Sequence, residues 1–91
     1  MQEVYGIAAF RSRSQVFMFE SVLRREGIRT GIVSTPRDVA MGCGLSVRFR
    51  MEDVQTVLRK LRQVNTSNLI GLYRVESTGC GKPRLSVIPL R

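Results

Sequence analysis

Hydrophobic and polar positions divide most of the chain into six segments that switch between strand and helix patterns. Residues 3–10 are mostly apolar and predict a central strand. Residues 14–26 change to helical spacing, and their shared apolar face consists of Val16, Phe19, Val22 and Leu23. Ser12 or Ser14 suits the N-cap of this helix, and Gly27 suits its end because glycine readily adopts a positive φ.

The middle of the chain predicts two strands joined by a connection. Residues 28–34 predict a strand at a sheet edge because polar residues interrupt its apolar pattern. Residues 35–44 predict a connection with one helical turn at most, because they start with Thr-Pro and end with Gly-Cys-Gly. Residues 45–49 alternate and predict a half-buried strand, with Ser46 and Arg48 facing away from the core.

The last two segments are a helix and a strand. Val54, Val57, Leu58 and Leu61 recur at the spacing of one helical face. Acidic residues precede this face and basic residues follow it, as the helix dipole favours. Residues 69–75 then predict a further strand.

The resulting order, βαββαβ, predicts an α+β ferredoxin-like sandwich: a four-stranded antiparallel sheet with two helices on one face. Residues 1–76 form this domain, and residues 77–91 form a C-terminal extension. Two interpretations of the extension stay open, an extra edge strand and a loose tail.

Charge and composition limit the chemistry. The chain carries fifteen Lys and Arg against seven Asp and Glu, so this basic protein attracts polyanions and acidic partners. It has no histidine and two cysteines, which excludes imidazole chemistry and the usual tetrahedral zinc site. We therefore expect no metal and no cofactor. No signal peptide and no membrane-spanning stretch can be recognised, which favours the cytoplasm, where thiols stay reduced.

Several short stretches are similar to one known family. They are Phe10, Ser12, Glu20, Leu23, Gly27-Ile28, Thr35-Pro36-Arg37, Cys43-Gly44-Leu45 and Val47-Arg48-Phe49. Over roughly residues 4–75 the chain resembles the selenium/sulfur carrier-like domains, with Thr-Pro-Arg and Cys-Gly-Leu as the most specific motifs. The resemblance implies a carrier that holds activated sulfur or selenium on Cys43, as a persulfide or selenide, and passes it to a partner protein. The donors and acceptors it implies are proteins such as a cysteine desulfurase or small sulfur-transfer proteins.

The expected topology places basic groups near Cys43. One edge of a ferredoxin-like sheet would gather Arg11, Ser12 and Arg13, then Arg37, then Cys43 between Gly42 and Gly44. Cations and a helix N-terminus lower the pKa of a thiol, and flanking glycines expose backbone N–H groups to an anion. We therefore predict a reactive Cys43 with these six residues as its anion-binding groups.

Cys80, in a second Gly-Cys-Gly, is a secondary candidate. The fourth strand should end at the sheet edge opposite Cys43, so no disulfide between the two cysteines is expected.

Two other function classes remain open. A regulatory or assembly module without chemistry would tolerate replacement of Cys43 by serine, whereas a carrier would not. A nucleic-acid-binding sheet is disfavoured, because Tyr5 and Phe49 are its only candidate stacking residues and Phe49 shares a face with core residues. A carrier is favoured over a turnover enzyme, no membrane partner is expected, and a homodimer stays open.

Overall fold

The computed structural model describes residues 3–39, 44–64, 67–79 and 81–90, in which an antiparallel sheet carries two helices. The strands are β1 (Glu3–Phe10), β2 (Thr30–Ser34), β3 (Leu45–Phe49), β4 (Leu69–Ser77) and β5 (Arg84–Ile88). The helices are α1 (Arg13–Arg25) and α2 (Val54–Gln63), and a 3-10 turn (Met51–Asp53) leads into α2. No helix in these ranges is long and apolar enough to cross a membrane.

The strand order is β2-β3-β1-β4-β5, and every neighbouring pair is antiparallel. The first four strands are compatible with the predicted ferredoxin-like arrangement, in which β1 and β3 are central. The prediction of a four-stranded sheet is wrong, because β5 adds a fifth strand beside β4, with Leu85 opposite Val75. The extension therefore contains an edge strand, which satisfies backbone groups along the outer side of β4.

The main core lies between the sheet and the two helices. Ala8 of β1 stands opposite Val47 of β3 and Leu72 of β4, and all three are fully buried. They belong to one apolar cluster with the buried faces of both helices: Val16, Phe19, Leu23, Val57, Leu58 and Leu61. The helical spacing read from the sequence thus identifies the faces that pack on the sheet.

Helix α1 ends in a hydrogen-bonded glycine cap. The Gly27 N–H donates to the Arg24 carbonyl, and the Ile28 N–H donates to the Leu23 carbonyl. Gly27 has a φ of 82°, a conformation that residues with a Cβ rarely adopt. This is the Schellman arrangement, and it turns the chain sharply from α1 towards β2.

The opposite face of the sheet is also covered. Ile7, Ala9 and Val75 alternate with the core residues, so they point away from the helices, yet each is fully buried. Ser46 faces away from the helices as predicted, and it too is fully buried. This second face is where the connections after β2 and β4 approach each other.

Candidate functional site

The residues at the centre of the predicted site lie outside the described part of the chain. These are Cys43, Gly42 and the secondary candidate Cys80. The site is therefore defined by the described residues around them, which include Gly44, next to Cys43 in the sequence, and Gly81, next to Cys80.

Two hydrogen bonds fasten the base of the connection that contains Cys43. The Thr35 N–H donates to the carbonyl of Gly44 over 2.9 Å, which joins the two ends of the connection. The Thr35 hydroxyl lies 2.7 Å from the buried hydroxyl of Ser46 on β3. Gly44 has a φ of 84°, so this position requires glycine. The connection therefore starts and ends at one fixed point on the sheet.

Replacing Thr35 with valine is expected to destabilise the protein by about 1–2 kcal/mol, because the buried Ser46 hydroxyl loses its partner. Urea denaturation measures this change. The double variant Thr35→Val/Ser46→Ala removes both hydroxyls and should recover part of the loss. Additive effects of the two single substitutions would contradict the proposed coupling between the hydroxyls.

A cleft of about 450 Å³ lies beside this fixed point. It is lined by Tyr5 of β1, by the end of β2 with the residues that follow it, and by the connection between β4 and β5. In full, the lining residues are Tyr5, Ser34, Thr35, Pro36, Arg37, Asp38, Gly81, Lys82 and Pro83. Three separate parts of the sequence thus form one surface depression.

The cleft carries a net positive charge. Two cations, Arg37 and Lys82, and one carboxylate, Asp38, give its lining residues a net charge of +1 (2 − 1). Arg37 is exposed, and the Val39 N–H donates to the Pro36 carbonyl in the turn that carries it. An anion in the cleft would meet Arg37 from one wall and Lys82 from the other.

Tyr5, which lines the cleft, contacts an arginine of β3. The guanidinium of Arg48 lies 3.9 Å from the centre of the Tyr5 ring, and Arg48 also pairs with Glu3 over 3.4 Å. A cation over an aromatic face is held by the ring quadrupole, so this contact fixes the orientation of Tyr5.

Three other predicted anion-binding residues do not line the cleft. Arg11 and Ser12 connect β1 to α1, and Arg13 begins α1, as the predicted topology requires. Ser12 is the N-cap residue, and its hydroxyl lies 2.8 Å from that of Ser14. The structure thus places Arg37 in the cleft next to Thr35, at the base of the Cys43 connection, and the residues at the start of α1 are not part of the cleft lining.

The sequence indicated Tyr5 only as a candidate stacking residue for nucleic acid, and it did not indicate Lys82. Apolar residues follow Tyr5 on both faces of β1, so the pattern gave no reason to assign its ring to a cleft. Lys82 lies in the C-terminal extension, whose path the sequence does not predict. The one sequence feature that marks a turn here is the glycine pair around Cys80: Gly79 and Gly81 both have positive φ before β5.

Part of the chain matches a known protein family. Residues 5–73 match the family described as "Putative Se/S carrier protein-like". The chain belongs to this family. Neither a curated protein nor a solved structure matches the chain. The family match includes Tyr5, Arg37 and Cys43 and stops within β4, so the Gly81–Pro83 wall of the cleft lies outside the matched span.

The connection between β4 and β5 bears on the two cysteines of this carrier-like chain. Strand β4 runs away from the Cys43 connection, as expected, but Gly81 and Lys82 share the cleft with Thr35 and Arg37. The length of the sheet therefore does not separate the two cysteine-bearing connections. Both cysteines lie outside the described residues, so the absence of a disulfide stays a prediction.

Within the described ranges, no group of three or more acidic, histidine or cysteine side chains could hold a metal ion.

Proposed function

We propose that this protein carries activated sulfur or selenium on Cys43 and transfers it to a partner protein. The observation that carries the proposal is the family match, which covers residues 5–73 and so includes Cys43 with its Thr-Pro-Arg and Cys-Gly-Leu surroundings. The fixed base of the Cys43 connection and the basic cleft beside it support the same assignment.

The proposed transfer conserves atoms and electrons. The Cys43 thiolate attacks the terminal sulfur of a persulfide on the donor protein, so a new S–S bond forms while the donor's S–S bond breaks. The donor leaves as a thiolate, and Cys43 becomes a persulfide. In the second step an acceptor thiolate attacks the terminal sulfur, and Cys43 leaves as a thiolate. With selenium as the terminal atom, the corresponding S–Se bonds form and break.

The surroundings of Cys43 favour anions in both states. A thiolate and a persulfide are negatively charged near neutral pH, and nearby cations lower the pKa of a thiol. We assign Arg37, and Lys82 across the cleft, to this electrostatic role. The N–H groups of Gly42 and Gly44 would bind the charged terminal atom, and Arg11, Ser12 and Arg13 would attract acidic surfaces of the partner at the start of α1.

The proposed setting is the cytoplasm, because a carrier with a free thiolate requires reducing conditions. The proposed partners are a donor, such as a cysteine desulfurase, and an acceptor protein with its own thiol.

The direct test is the mass of the Cys43 peptide from protein purified without reductant. Sulfur should add about 32 Da and selenium about 79 Da, and reductant should remove either atom. A Cys43→Ser variant should lose the added mass, whereas a Cys80→Ser variant should keep it. Unmodified Cys43 in protein that has been incubated with a persulfide-loaded cysteine desulfurase would refute the carrier function.

A further inference from the structure

The outer side of β2 is one of the two edges of the sheet. This strand pairs with β3 on one side, and no described strand pairs with the other. Its residues, Thr-Gly-Ile-Val-Ser, include no charge and no proline, and Ile32 is partly exposed. Natural edge strands usually carry a charged residue or a proline, because their free N–H and C=O groups would otherwise pair with other strands. Strand β5 at the opposite edge follows this rule, since Arg84 begins it and Pro89 follows it.

Three arginines surround one end of this edge. Arg29, Arg48 and Arg50 line a depression of about 370 Å³, which we name the arginine cradle. Gly31 of β2 stands opposite Arg48 and also lines the cradle. A Cβ at Gly31 would meet no atom within 4 Å, so space for a ligand side chain remains above it.

The charges of the cradle are only weakly compensated. Arg48 pairs with Glu3 over 3.4 Å, and Arg50 pairs with Glu52 and Asp53 over 3.7 and 3.6 Å. The pairs of Arg48 with Glu3 and of Arg50 with Glu52 are long and join solvent-accessible side chains, and such pairs contribute little. Asp53 is more buried than these partners. Arg29 has no carboxylate partner among the residues that the structure describes. The guanidinium of Arg48 is also held over the Tyr5 ring, so Arg29 is the arginine of the cradle that is available to an incoming carboxylate.

We propose that β2 and the arginine cradle together bind an extended acidic segment of a partner protein, which adds a strand to the sheet. Backbone groups of β2 would supply the ladder, and acidic side chains at alternate positions of the segment would enter the cradle. This proposal deepens the carrier function and rests on it for the partner's identity as donor or acceptor.

Charge and geometry favour this occupant over others. A second copy of the chain carries a net charge of +8 and has no acidic residue in its own β2, so two copies repel. A nucleic acid would meet the arginines but has no peptide groups to pair with the edge. Strand β2 also leads from Arg29 directly to Thr35, where the Cys43 connection begins. A segment bound along β2 would thus extend towards Thr35, at the start of the connection that contains Cys43.

The test uses a short synthetic peptide in which glutamate alternates with threonine and valine. Its binding is measured by isothermal titration calorimetry to the Cys43→Ser protein, so that the result does not depend on sulfur transfer. We expect Arg29→Ala to weaken binding about tenfold, because one charge-assisted hydrogen bond is lost. Arg59→Ala removes the same charge from an exposed position on α2 and should change affinity less than about twofold.

Two N-methylated peptides test strand addition itself. Alternate N–H groups of an added strand face its neighbour, so methylating one alternate set should abolish binding, and methylating the other should preserve it. Equal binding of both peptides would overturn the proposal, as would dimers of the free protein that Ile32→Lys dissociates. Tighter binding of a single-stranded RNA with the same Arg29 dependence would also overturn it. A negative result in any of these binding experiments does not affect the mass test of Cys43.

Discussion

At neutral pH, the Cys43 thiol is expected to react with iodoacetamide about tenfold faster than the Cys80 thiol. Only the thiolate is nucleophilic, and we expect the positive field of Arg37 to lower the pKa of Cys43 and so to increase its thiolate fraction. The comparison uses two variants, Cys80→Ser and Cys43→Ser, each of which retains one thiol. Alkylation rates across a pH series give both the rate at neutral pH and the apparent pKa.

Arg37→Ala in the Cys80→Ser background tests the cause. Removing a cation disfavours the thiolate, so the pKa of Cys43 should rise, and its reaction at neutral pH should slow. Arg37 is exposed, so the fold should be retained. Arg59→Ala is the matched control, since it removes an exposed arginine from α2. Equal alkylation rates of the two cysteines, or equal effects of the two arginine substitutions, would contradict the prediction.

The largest stability effect is expected at Gly6. A Cβ at this position would lie 2.4 Å from two ring atoms of Phe49, whose side chain is almost completely buried. Alanine must therefore displace an aromatic ring in the core, which costs about 1–3 kcal/mol. Chemical denaturation followed by circular dichroism should show this loss for Gly6→Ala.

Gly31→Ala is the matched control, since Gly31 also lies in a strand but has open space at its Cβ. Its stability should change by less than about 0.5 kcal/mol. A smaller side chain at the clash site, in the double variant Gly6→Ala/Phe49→Leu, should reduce the cost of the alanine. Similar stabilities of the two single glycine variants would show that the core adjusts without cost.

The two helices and the first four strands could be predicted along the chain because the sequence patterns that mark each of them are local. The spacing of Val57, Leu58 and Leu61 identifies the buried face of α2, and Gly27 marks the end of α1. Both patterns follow from backbone geometry, which is the same in any protein. The alternation over residues 45–49 likewise separates the two faces of β3, as Val47 and Arg48 show.

The path of the connections could not be predicted, because it depends on contacts between distant residues. The contact of Thr35 with Ser46 spans eleven positions, and neither residue type indicates such a partner. Strand β1 is apolar on both faces, so the sequence could not show that its second face would also be covered. The sequence does not predict the fifth strand, because Leu85 and Val87 suit an edge strand and a loose tail equally well. The cleft therefore depends on contacts between distant residues that the sequence pattern does not reveal.

Tyr5, on which Arg48 stacks, can report by its fluorescence whether the cleft is occupied. The chain contains two tyrosines and no tryptophan, so its near-ultraviolet emission comes from Tyr5 and Tyr73 alone. Tyr5 lines the cleft, and Tyr73 stands on the neighbouring strand β4, opposite Ile7 of β1. A ligand that enters the cleft changes the polarity and quenching around one of only two fluorophores. Occupancy of the cleft can therefore be followed in the unlabelled, unmodified protein.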